Sequence, residues 1–68
     1  MNDDLFNMEV RKFLKQLGVG AQREIEAAVR GALETGRIKG HERLIATARI
    51  DLPGVGLVHE LKGEIRLE

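Results

Sequence analysis

The chain has 68 residues and a mass of 7.6 kDa, which allows one small domain near the lower limit for independent folding. By surface scaling such a chain buries roughly 60% of its area and gains only about 3–5 kcal/mol from its core. There is no cysteine, and 11 basic residues balance 11 acidic ones, which excludes a disulfide framework or a thiolate metal site and argues against tight binding to nucleic acid or anionic membrane.

In chain order, Asn2 or Asp3 can cap a first helix, with Asp3 and Asp4 at the positive end of its dipole. Phe6, Val10, Phe13, Leu14 and Leu17 recur at spacings of three and four and fall on one stripe. Gly18 is expected to stop this helix, giving bounds of 3–17. A second helix is expected over 21–35, with Ala21, Ile25, Ala28, Val29, Ala32 and Leu33 as its apolar stripe and Gly36 as its stop. Its start is weakly specified, because Gly20 and Ala21 offer no capping side chain.

From Arg43 the period changes from 3.6 to 2. Leu44, Ala46, Ala48, Ile50 and Leu52 alternate with Ile45, Thr47, Arg49 and Asp51, and Leu57, His59, Leu61, Gly63, Ile65 and Leu67 with Val58, Glu60, Lys62, Glu64, Arg66 and Glu68. This predicts strands over 43–52 and 57–67 in an antiparallel hairpin with one buried face. Pro53-Gly54 suits the central positions of a type II turn. Pairing Leu52 with Leu57 aligns both apolar sets and sets Arg49 opposite Glu60. The expected fold is therefore α+β, order α-α-β-β, a single domain over 1–68: two helices packed on one face of a hairpin. Ala46, Ala48 and Gly63 form a patch of small side chains where a helix can come close.

Chemistry is sparse. The chain lacks Ser, Cys, Tyr and Trp, so a Ser or Cys triad is impossible. Gly18-Val19-Gly20 lacks the spacing of a phosphate loop. His59 on the inner face, and the loop pair His41-Glu42, have no third ligand in view, so no metal, cofactor or catalytic residue is assigned. The expectation is a cytoplasmic protein without enzymatic activity. No leader is expected, since Asp3 and Asp4 stand where one would carry positive charge, and no apolar run is long enough to cross a bilayer.

Two contact surfaces are candidates. Leu5 and Met8 point away from the first stripe, and Ile45 and Val58 are apolar positions on the hairpin's outer face. Together they suit a protein partner or a second copy, the latter through a hairpin edge. The alternative is nucleic acid, met by Arg23, Arg30, Arg37, Lys39 and Arg43. Arg23, Arg30 and Arg37 are spaced by seven along one helical line. Glu26 and Glu34 share that line, and Glu26 precedes Arg30 by four residues in the favoured ion-pair order.

The run MNDDLFNMEVRKFLKQLGV, with QREIEAAVR and the closing GEIRLE, resembles a small family of uncharacterised bacterial proteins of about this length, a domain of unknown function. The resemblance implies a complete chain and no particular activity. Residues 32–44, ALETGRIKGHERL, are similar to the end of the first helix and following loop of GntR-type winged helix-turn-helix regulators. The likeness stops at residue 44, where a strand pattern replaces the second helix, so no DNA-reading residue carries over.

Overall fold

The computed structural model describes all of residues 1–68 as two compact units, Met1–Arg37 and Ile38–Glu68. The class is α+β, with one helix rather than two. Helix α1 runs unbroken over Asp3–Glu34, 32 residues, or about 48 Å. Strands β1 (Arg43–Leu52) and β2 (Leu57–Arg66) follow, joined by a single 3₁₀ turn over Pro53–Val55.

The expected break at Gly18 does not occur. Positive φ is confined to Gly36, Gly40 and Gly56, so Gly18 and Gly20 are ordinary helical residues. The energetics explain this. Two glycines cost a helix interior about 2 kcal/mol relative to alanine. Restarting the helix costs a new nucleus, on the order of 4 kcal/mol for a nucleation constant near 10⁻³. No Ser, Thr, Asp or Asn stands at 18–22 to cap a new start. The two apolar stripes therefore join end to end on one helix, the second turned roughly 75° from the first at 100° per residue.

Both helix ends are closed locally. Asn2 is the N-cap, and its side-chain oxygen accepts from the Leu5 backbone N–H at 3.1 Å. At the far end Gly36 adopts φ 75°. Its N–H donates to the Leu33 carbonyl (3.2 Å) while Arg37 N–H donates to the Ala32 carbonyl (2.9 Å). These are the two bonds of a Schellman stop. The Thr35 hydroxyl also donates to the Ala32 carbonyl at 3.3 Å.

In the hairpin the register is the expected one throughout: Leu52 opposite Leu57, Ile50 opposite His59, Ala48 opposite Leu61, Ala46 opposite Gly63 and Leu44 opposite Ile65. The turn differs. Gly56 N–H donates to the Pro53 carbonyl at 3.1 Å, so Gly54 and Val55, not Pro53 and Gly54, are the central residues. The left-handed residue is Gly56, at φ 68° and ψ 22°. A four-residue loop built on an αR turn needs such a final residue to bring the chain back into a twisted ladder.

Neither unit holds a core: no residue is buried. Leu44, Ala46, Ile50, Ile65 and Leu67 on the inner face are half-buried, while Leu61 and His59 on the same face are exposed. On the helix Phe6 keeps 50% and Phe13 55% of their surface.

Candidate functional site

The backbone of the hairpin defines its open edges. Leu67 N–H donates to the Glu42 carbonyl at 3.3 Å, and these two residues continue the ladder directly opposite one another. In an antiparallel pair, hydrogen-bonded and non-bonded positions alternate. The even-numbered residues of β1 therefore turn their N–H and C=O groups toward β2. Arg43, Ile45, Thr47, Arg49 and Asp51 turn theirs outward. On β2 the outward set is Val58, Glu60, Lys62, Glu64 and Arg66. The sheet has two strands, so both sets lie on an edge with no strand beside it.

The same odd residues of β1 carry the outer face. Arg43 reaches diagonally to Glu64, with Nε 3.8 Å from the carboxylate. Arg49 stands opposite Glu60 as expected but pairs along its own strand with Asp51, at 3.8 Å. Both pairs are well exposed, so each contributes about 1 kcal/mol at most. Ile45 keeps 62% and Val58 51% of their surface. They share a face without meeting, because Ile45 lies opposite Glu64 and Val58 opposite Asp51.

A second feature went unseen in the sequence. The Glu42 carboxylate accepts three consecutive backbone N–H groups, from Lys39 (2.8 Å), Gly40 (2.9 Å) and His41 (3.2 Å). The Lys39 and Gly40 bonds lead in holding its pKa down from 4.5 to about 2. Gly40, at φ 108°, lets the chain curl around the carboxylate. The visible signal was an acidic residue two positions after a loop glycine, which reads as backbone capping only once the curl is known.

The remaining candidates are not brought together. Leu5 and Met8 lie on α1, 53% and 63% exposed. Arg23 and Arg30 are on the helix, but Arg37 lies beyond its end, with its backbone N–H engaged in the stop, so the line of three arginines is broken. Glu26 accepts from the Gln22 side-chain amide at 3.3 Å instead of pairing with Arg30. Lys39 and Arg43 belong to the other unit. Residues 32–44 hold the helix end, a loop and the start of β1, so a strand follows where the GntR-type pattern continues into a second helix. No three His, Asp or Glu side chains converge. A shallow depression lined by Thr47, Ala48, Arg49, Glu60, Leu61 and Lys62 is open sheet surface. No helix is long and apolar enough to cross a membrane.

No curated protein and no solved structure matches the chain. One family model does, over residues 1–68, and the resemblance carried by the opening run and by GEIRLE is thereby shown. The chain thus belongs to DUF6494, a family of unknown function.

Proposed function

We propose that the chain is a non-enzymatic protein-interaction module that acts by strand pairing at an edge of its hairpin, with a second copy as the first partner. The observation that carries this reading is a two-stranded sheet whose strands each run ten residues with one side unpaired. Such a sheet is marginal alone and gains from further strands. Added strands also widen the inner face that carries Leu44, Ala46, Ile50 and Ile65. The lack of Ser, Cys and Tyr supports the non-enzymatic part.

Sedimentation equilibrium tests it. The expected result is a species of twice 7.6 kDa at micromolar concentration. A single 7.6 kDa species persisting at millimolar concentration overturns self-association.

A further inference from the structure

We infer, resting on the edge-pairing reading above, that the pairing edge is β1 and not β2. Two copies lie antiparallel across a two-fold axis beside Thr47, giving one sheet in the order β2-β1-β1-β2. Backbone parity comes first. Only the odd residues of β1 offer outward N–H and C=O groups, so a symmetric partner must set odd against odd. Centring on Thr47 does this and overlaps nearly all of Arg43–Leu52.

That register also satisfies the side chains. Thr47 meets the partner's Thr47, a favourable cross-strand pair of β-formers. Arg43 meets the partner's Asp51 at both ends of the ladder. Arg43 already lies 3.8 Å from Glu64, and Asp51 3.8 Å from Arg49. The new pair therefore joins two loose ion pairs into a chain of four alternating charges. On the other face Leu44 meets the partner's Ile50 and Ala46 the partner's Ala48, so the apolar inner surface becomes continuous. A slip of one position sets Arg43 against the partner's Arg49, like charges face to face. The opposite slip leaves Arg43 facing Pro53, beyond the strand.

The β2 edge is built differently. Four of its five outward residues are charged: Glu60, Lys62, Glu64 and Arg66. Centring on Lys62 opposes lysine to lysine and Glu60 to Glu64. A slip to centre on Gly63 pairs Glu60 with Arg66 and Lys62 with Glu64, but it sets a glycine on the axis and overlaps only residues 60–66 of the strand, against 43–51 on β1. A central edge lysine and a dense charge row are the usual devices for keeping an edge single.

The chain has no cysteine, so a single one reports its own neighbour. Thr47→Cys in the full chain should oxidise to a covalent dimer, because directly hydrogen-bonded partners stand about 5.5 Å apart at Cα, within disulfide range. Lys62→Cys should give only collisional cross-linking. In sedimentation, Arg43→Asp and Asp51→Arg should each weaken the dimer about tenfold, and the double variant should recover to within about threefold. Cross-linking at Lys62→Cys but not Thr47→Cys overturns the β1 assignment and leaves edge pairing standing. A dimer that neither cysteine captures, and that both charge variants leave intact, overturns the β1 assignment. A wild-type chain that stays monomeric at millimolar concentration overturns self-pairing at an edge altogether.

Discussion

The helix and the hairpin leave their backbones in different states. In α1 every unpaired group lies within a turn of an end, and Asn2 and the Gly36 stop satisfy several of those. In the hairpin the unpaired groups run along two full sides, and only water or another strand can meet them. Both units lack a buried residue. The helix is thus short of apolar contact alone, while the hairpin is short of apolar contact and hydrogen-bond partners together. The helix leaves only an apolar stripe unmet, while the hairpin leaves an apolar face and two rows of backbone groups.

Four predictions sharpen or break that contrast. The largest effect is expected from Gly18→Pro. Within a continuous helix it removes a backbone bond and clashes with the preceding turn, costing about 3 kcal/mol or more. Circular dichroism should show a marked loss of helix. Had α1 ended at a left-handed Gly18, proline there would cost the cap alone and most of the helix signal would survive. Next comes the turn. Gly56→Ala forces a side chain into φ 68° and should cost about 1–2 kcal/mol in urea unfolding. Gly54→Ala meets no atom within 4 Å and needs no positive φ, so it should cost less than about 0.5 kcal/mol. A reversed order of these two would restore a type II turn centred on Pro53-Gly54.

Smaller gains test the helix again. Gly18→Ala and Gly20→Ala should each stabilise it by about 0.5–1 kcal/mol, since a Cβ at either position meets nothing within 4 Å. A loss of stability from either would mean a left-handed break after all. The smallest effect concerns Glu42. Its folded pKa, about 2, lies below the unfolded value near 4.5. The stability it supplies is complete above pH 4.5 and fades as the pH falls toward 2. Glu42→Gln should flatten the pH dependence of unfolding across that window, and an unchanged slope would remove the carboxylate from the loop's stability.

The hairpin was legible almost residue by residue because three constraints agreed. Alternation, the closing Leu52–Leu57 pair and the opposition of Arg49 to Glu60 admit one register. The turn was harder, since Pro-Gly fits two loop geometries and only loop length decides between them. The helix was misread because Gly18 and Gly20 carry a local stop signal whose cost is outweighed by that of a second nucleus. The missing cap at Ala21 was the sign. Glu42 escaped notice because its partners are backbone groups, which leave no side-chain motif. The edge was visible as an edge, but the division between odd and even residues needed the Leu67–Glu42 hydrogen bond.

That division has a consequence for how the protein can vary. On β1 the odd residues show their side chains to the outer face and their amides to the open edge. The even residues hold the ladder and the apolar face. Exchanging Thr47 or Asp51 for another strand-compatible residue alters the outer face and the open edge without disturbing the hairpin's own bonds. Exchanging Ala46 or Ile50 alters the apolar face and spares the edge. The open edge and the hairpin's own ladder are thus encoded on alternate letters of one ten-residue word, and selection can rewrite either set while reading past the other.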